Sequence, residues 1–350
     1  MKTVIFVITK SEIGGAQTWV YEQATLLKDE CHLILITSKL GWLSKQGVFH
    51  EVITIPGLIK RNSLSSLLKI VTTIRNKSAD VVIASSANAG IYTRLAKLFC
   101  DFKCIYVSHG WSCIYNGGKF KPLLCKIEKV LSKLTDTIWC VSKCDEEKAI
   151  KELEIKPHKI KTIINAITPM EPKTENRFKG KILFVGRLTH PKRPDLIAEV
   201  VAENPKYRLD IIGDGIMKNK LEQQFSTTKN IRFLGEIENF RDFNKYDIFV
   251  LTSESEGLPM SGLEAGSAGI PMVLSNVGGC VEVINGKNGI LVNNDKNEIL
   301  AALEKIEGDY SQYLSSARTL KDRFDIHSTK ELRKKIILNQ HAKKSYTSNH

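Results

Sequence analysis

The chain has 350 residues, 42% of them hydrophobic and 25% charged, with a formal net charge of +13. That length holds about two domains with cores of their own, and the composition is that of a folded globular protein, not a disordered or fibrous one. No apolar run reaches the roughly 20 residues that span a bilayer, and eight cysteines without one C-x-x-C spacing argue for buried, reduced thiols over zinc ligands or a disulfide framework.

The opening "MKTVIFVITKSE" reads as a first strand, Val4–Thr9. A signal peptide would need a longer apolar region and a small-residue cleavage site. Gly14 and Gly15 stand at the turn from this strand into a helix, where paired glycines let backbone approach a ligand and a helix N-terminus favours an anion. The pattern is not G-x-G-x-x-G, so a nicotinamide-dependent oxidoreductase is poorly supported. Short β-branched runs follow at Leu33–Thr37, Val81–Ser85, Cys104–Ser108 and Thr137–Ser142, with helical patterns between them. His109 lies just past the strand Cys104–Ser108, placed to hydrogen-bond a substrate hydroxyl or to stabilise charge.

The Pro-rich, polar stretch Asn165–Gly180 is the natural linker. Beyond it strands are expected at Ile182–Gly186, Arg208–Gly213, Ile231–Leu234, Ile248–Thr252, Met272–Ser275 and Ile290–Val292. Alternation of strand and helix signals a parallel sheet with crossover helices. The fold class is therefore α/β, two doubly wound Rossmann-like domains facing a cleft. The expected layout is a first domain at 1–168, a linker at 169–180 and a second domain at 181–325. A C-terminal helix at 326–340 would return to the first domain, followed by a disordered tail at 341–350.

Ligands in such sheets bind outside the carboxyl ends of the strands, and the second half concentrates chemistry there. In "ILFVGRLTHPKRP", Arg187 and Lys192 follow a strand end within five residues of each other, a spacing that can clamp a diphosphate and stabilise charge growing on it as it leaves. His190, between them, reads as a loop residue. In "SESEGLPMSGLEAGSAGIP", Glu256 and Glu264 flank the start of a helix, with Pro259 suited to its first turn. Free N–H groups there would meet a phosphate, leaving the two carboxylates for sugar hydroxyls. "GDG" at Gly213–Gly215, "FLGEI" and "NVGGCVEVI" are further strand-end turns, among which a nucleoside base could lie.

Taken together these segments resemble the GT4 family of retaining, nucleotide-sugar-dependent glycosyltransferases with the GT-B fold. "EGLPMSGLE" reproduces the family's E-x7-E motif, and "FVGRLTHPKRP", "GDG", "FLGEI", "SNVGGCVEVI" and "GKNGILV" follow in family order. In the first half the likeness rests on "GGAQ" and "SHG". It implies a hexosyltransferase in which Arg187 and Lys192 hold the donor diphosphate and Glu256 meets the donor sugar. Backbone N–H groups near Gly257 and Leu258 would bind the phosphates, Glu264 the ribose hydroxyls, and His109 would help position the sugar. Gly14 and Gly15 join the donor-binding set, and neither a metal nor another cofactor is expected. "TKSEIGGAQTWV", "SSANAGIYTRL", "SHGWSCIYNGG" and "RLTHPKRP" look, more narrowly, like bacterial O-antigen enzymes that add α-1,3-linked N-acetylgalactosamine to GalNAc-diphosphate-undecaprenol. One departure is "EAGSAG", where the family often has a bulkier residue followed by alanines; Gly266 could loosen that helix.

The implied partners are a UDP-sugar donor, a lipid-linked sugar acceptor and an anionic membrane surface, with no nucleic acid. Residues 1–168 hold 24 Lys/Arg against 14 Asp/Glu, a net of +10, so the excess charge sits in the expected acceptor domain. "IKRNSLSSLLKIVTTIRNK" and "GKFKPLLCKIEKVLSKL" are basic amphipathic stretches suited to lying on a membrane, and the expected location is the cytoplasmic face of the plasma membrane, peripherally bound. The alternatives left open are a nucleotide-sugar epimerase of similar fold and a non-catalytic two-lobed sugar-binding protein.

Overall fold

A computed structural model describes residues 1–115 and 117–339. The expected disordered tail at 341–350 lies outside the described residues. The chain divides into two compact units. One comprises Met1–Val141, Glu146–Ile163 and the chain from Thr329 onward; the other comprises Ser142–Asp145 and Ile164–Ser328.

The first unit is built on a seven-stranded parallel sheet: β1 (Lys2–Val7), β2 (Cys31–Thr37), β3 (Glu51–Thr54), β4 (Val81–Ala84), β5 (Lys103–Ser108), β6 (Thr137–Cys140) and β7 (Ile160–Thr162), in the order β3-β2-β1-β4-β5-β6-β7. The register sets Val4 against Val81 and Val7 against Ala84. Continuous apolar runs such as "VVIA" arise because crossover helices cover both faces. The sequence reading omits β3 and β7. Both are edge strands of three or four residues, paired on one side only and, apart from buried Ile160, half-exposed or exposed, so they need no continuous apolar run.

The second unit has six parallel strands: β8 (Lys181–Val185), β9 (Arg208–Ile212), β10 (Ile231–Gly235), β11 (Ile248–Leu251), β12 (Met272–Ser275) and β13 (Gly289–Val292), in the order β10-β9-β8-β11-β12-β13. In each sheet the order reverses beside the opening strand, between β1 and β4 and between β8 and β11. The crevice outside those strand ends is where a doubly wound fold takes its ligand.

Two boundaries differ from the expectation. Residues 169–180 are not a free linker but are fastened to the second unit. Lys173, nearly fully buried, pairs with Asp247 at 3.1 Å, and the other Asp247 oxygen accepts the backbone N–H groups of Lys179 and Lys181, each at 2.9 Å. A polar, Pro-rich sequence can be fixed in this way by a single buried carboxylate. The C-terminal helix runs from Lys330 to Leu338 and packs in the first unit. Its buried Arg333 donates to Gln23 Oε1 at 3.4 Å and lies over the Trp139 ring. Lys2 and Lys103 reach the carbonyls at its C-terminal end, where cations offset the helix dipole.

Candidate active site

At the β8/β11 reversal two loops are stitched together. Arg193 N–H donates to Thr252 O at 2.9 Å, Thr252 Oγ1 donates to Arg193 O at 2.5 Å, and Glu254 N–H donates to Pro191 O at 2.8 Å. Lys192 and Ser253 form a backbone bridge between the loops. This stitching brings the Lys192 ammonium onto the Glu256 carboxylate, and the two side chains are only 14% and 10% exposed. Largely removed from water, each charge depends on the other. His190 Nε2 donates to the Glu254 carboxylate at 2.8 Å, so it helps hold the same loops at their rim.

Glycines set the positions of these loops. Gly278 adopts a φ of +51°, and a methyl group there would overlap the Glu256 carbonyl oxygen; Gly279 sits as closely on Gly257, whose oxygen accepts the Gly279 N–H at 2.6 Å. Gly213 and Gly215 press on the backbone of Gly186 and Leu188 in the same way, with Leu188 N–H donating to Asp214 O at 2.8 Å. Arg187 lies between those two contacts, exposed, two residues beyond β8. The turns "GDG" and "NVGG" therefore act as backbone templates for the Arg187 and Glu256 loops.

The helix expected after Glu256 spans Met260–Ser267. Pro259 is its cap and not a first-turn residue; with φ of −71° and ψ of 117° it leaves its carbonyl to accept from Gly262 and Leu263 at 3.0 and 3.2 Å. Gly257 and Leu258 precede the cap, and half-buried Glu264 falls on the second turn. Gly266 does not loosen this helix: its missing side chain makes room for Phe324, whose ring a methyl group would meet at 3.2 Å.

In the first unit, Gly14 caps the helix Gly15–Leu27 in extended conformation, and Trp19 of that helix meets the His109 ring edge-to-face with centroids 5.4 Å apart. His109 Nε2 shares a hydrogen bond of 2.7 Å with the buried Ser85 hydroxyl. Burial pushes the His109 pKa down from 6.5 to about 3, so the ring is a neutral hydrogen-bonding group at physiological pH. Beside it at the β1/β4 reversal, Thr9 and Ser86 share a hydroxyl contact of 2.8 Å. Ser85 and Ser86 escaped the sequence reading, because serine after a strand signals only a turn. Among the described residues no group of three or more His, Cys, Asp or Glu could hold a metal ion, and no helix is long and apolar enough to cross a membrane.

Comparison with known proteins decides the family. The description "Glycosyltransferase Family 4" matches residues 13–170, and "Glycosyl transferases group 1" matches residues 179–309. The O-antigen biosynthesis glycosyltransferase WbnH of Escherichia coli is 52% identical over 338 residues, covering 97% of this chain and all of that protein. The chain belongs to glycosyltransferase family 4. A further E. coli relative of this glycosyltransferase, a UDP-Gal:alpha-D-GlcNAc-diphosphoundecaprenol alpha-1,3-galactosyltransferase, is 31% identical over 73% of this chain and 74% of its own. Among solved structures the enzyme's fold is shared by Anabaena HepE in complex with UDP-glucose, with a TM-score of 0.82 at 17% identity over 96% of this chain and 99% of that one. Sucrose-phosphate synthase from Thermosynechococcus elongatus follows with 0.81 at 15% identity, covering 96% and 98%. The enzyme is thus an α/β glycosyltransferase of the GT-B fold, with its E-x7-E glutamates on the loop and helix that follow β11.

Proposed function

We propose that this glycosyltransferase works in O-antigen synthesis, moving N-acetylgalactosamine from UDP-GalNAc to a sugar carried on a lipid diphosphate, with retention of the α configuration. The observation that carries the proposal is the secluded Lys192–Glu256 pair at the β8/β11 reversal. Lys192 and Arg187 bind the donor diphosphate and neutralise the charge that grows as the C–O bond breaks. Glu256 takes a hydroxyl of the donor sugar, the N–H groups near Gly257 and Leu258 take the phosphates, and Glu264 holds the ribose. His109, neutral and fixed by Ser85 and Trp19, serves sugar hydroxyls as a hydrogen-bonding group. With two cations and a helix N-terminus facing the diphosphate, turnover proceeds without a divalent metal. The O-antigen role is supported by the name of WbnH, and a UDP-sugar donor with a lipid-diphosphate acceptor by the name of the E. coli galactosyltransferase.

Such an acceptor places the enzyme on the cytoplasmic face of the plasma membrane as a peripheral protein. The first unit supports this. Its helix Lys121–Ser132 turns Leu131 and the buried Glu128 inward, where Glu128 pairs with Arg94 at 2.7 Å. Outward it leaves Leu123 (57% exposed), Ile127 and Val130, in line with Phe120 (69%) at its cap, and the stretch 118–134 holds five lysines. The helix Leu64–Asn76 exposes Leu64 and Leu68, and no Asp or Glu occurs in the stretch 59–77.

The test is incubation of the protein with UDP-GalNAc, UDP-Gal and UDP-GlcNAc, with and without GalNAc-diphosphate-lipid and with and without a chelator. Product is expected only with acceptor, from UDP-GalNAc, unchanged by chelation and with an α linkage by NMR. Conversion of donor alone, a β linkage, or loss of turnover restored by Mg²⁺ would each overturn the corresponding part of the reading.

A further inference from the structure

Glu256 stands on a loop that leaves β11 at Ser253, where the ladder ends and the backbone needs other partners. Ser253, fully buried, finds them in two side chains from later loops. Its N–H donates to Ser275 Oγ at 2.9 Å, and its carbonyl accepts from Asn294 Nδ2 at 2.9 Å. Ser275 Oγ in turn donates to Asn294 Oδ1 at 2.6 Å, closing a ring of three bonds. Every direction in the ring is determined. The single hydroxyl proton of Ser275 goes to Asn294, its lone pair takes the Ser253 N–H, and the asparagine must present oxygen to Ser275 and nitrogen to Ser253. On its other flank Ser253 Oγ faces Pro191 O at 3.1 Å and Ser255 O at 3.0 Å, on the loops that carry Lys192 and Glu256.

We infer that Asn294, on the loop after β13 and outside every motif that identifies the family, is a positioning residue for the transfer reaction, acting with Ser275 through the Ser253 backbone to hold Glu256 in register with Lys192. The inference rests on the donor-binding role given to that pair. Asn294 touches neither charged group. It fixes the peptide from which both loops take their alignment, and the reacting groups of a transferase tolerate little misplacement.

Asn294→Asp tests this most directly, because it keeps size and shape but sets an acceptor oxygen against the Ser253 carbonyl. A shift of about 1 Å in a catalytic group costs on the order of 100-fold. The expected result is therefore a kcat lower by about 10- to 100-fold, with UDP affinity within about threefold of wild type and a melting temperature lowered by no more than a few degrees. Ser275→Ala should reproduce the defect, Ser275→Thr, which retains the hydroxyl, should restore most of kcat, and the Asn294→Asp/Ser275→Ala double variant should be no worse than either single one, since the ring is broken once. A wild-type kcat in Asn294→Asp would overturn the inference. So would losses of UDP affinity and thermal stability in proportion to kcat, which would make the ring a merely structural clasp. Absence of turnover in the wild-type protein itself would instead count against the proposed function.

Discussion

The two units share a winding, yet they finish their strand ends by different means. In the second unit backbone meets backbone: Gly278 and Gly279 against Glu256 and Gly257, Gly213 and Gly215 against Gly186 and Leu188. In the first unit side chains do the corresponding work, through Thr9 with Ser86, Ser85 with His109, and Trp19 against the His109 ring. Backbone contact at that range admits only glycine, so these loops of the second unit are written in residues that cannot be exchanged. Hydroxyl and ring contacts accept many substitutes, which leaves these positions of the first unit freer to vary.

The largest break in this contrast should come from Lys192→Ala. Removing the ammonium takes from the secluded Glu256 carboxylate its Lys192 partner, and takes a charge from the diphosphate. We expect kcat to fall by about 100- to 1,000-fold with the fold retained by circular dichroism. A fall below tenfold would move the diphosphate elsewhere.

Next in size are Arg187→Ala and Glu264→Ala, each expected to lose about 10- to 150-fold, the range of one charge-assisted contact. The two should differ in kind. Diphosphate charge grows during bond cleavage, so the arginine variant loses kcat; ribose contacts are alike in ground and transition states, so the glutamate variant loses UDP affinity. Calorimetric titration with UDP separates them, and wild-type affinity in the Glu264 variant would remove that residue from the site.

In the first unit, reversing Lys119, Lys121 and Lys126 to Glu should weaken binding to anionic vesicles by tenfold or more at low salt, at about 1 kcal/mol per basic residue near the surface. UDP binding should be untouched. Equal binding of the wild-type protein to neutral and anionic vesicles would refute electrostatic docking.

His109 gives a pH test. Its folded pKa lies near 3, below the 6.5 of the unfolded chain, so between those values the unfolded state takes up a proton that the folded state refuses. Stability therefore falls as pH drops through that window, by about 2 kcal/mol at pH 5 from this ring alone. A His109→Gln variant should lose less stability between pH 7 and pH 5 than wild type, as read by urea titration; parallel losses would show that the ring is not buried neutral.

The smallest effect sharpens the contrast itself. Gly14→Ala meets only the movable Gln17 amide, 2.7 Å from the new methyl, at an extended φ of 171°, and should change stability little. Gly278→Ala meets fixed backbone at a positive φ and should cost several degrees in melting temperature and most of the activity. Equal tolerance at both positions would erase the distinction between the units.

The same contrast explains what could be read from the sequence. All six strands of the second unit, the Arg187–Lys192 loop and the Glu256 loop with the helix after it were legible: the inner strands because burial between two ladders demands apolar runs, the edge strands β10 and β13 because Gly235 and Gly289 mark their ends. The edge strands β3 and β7, with one ladder each, mostly half-exposed side chains and no glycine at either end, were not. Asp247 and Asn294 were illegible for another reason. Each binds backbone far away in the chain, Lys179 and Lys181 for one and Ser253 for the other, and a side chain that serves a distant peptide leaves no periodic trace.

The helix Lys330–Leu338 has a consequence for how the protein is made. Trp139, Gln23 and the start of β1 all take partners from a helix that is translated only after the whole second unit. A domain made first is ordinarily finished first, but here the order of completion is inverted: a nascent chain ending at Ser328 already holds every strand of the second unit, while the first unit, translated earlier, still waits for its final helix. Premature termination just after Ser328 would therefore wound the first unit and spare the second.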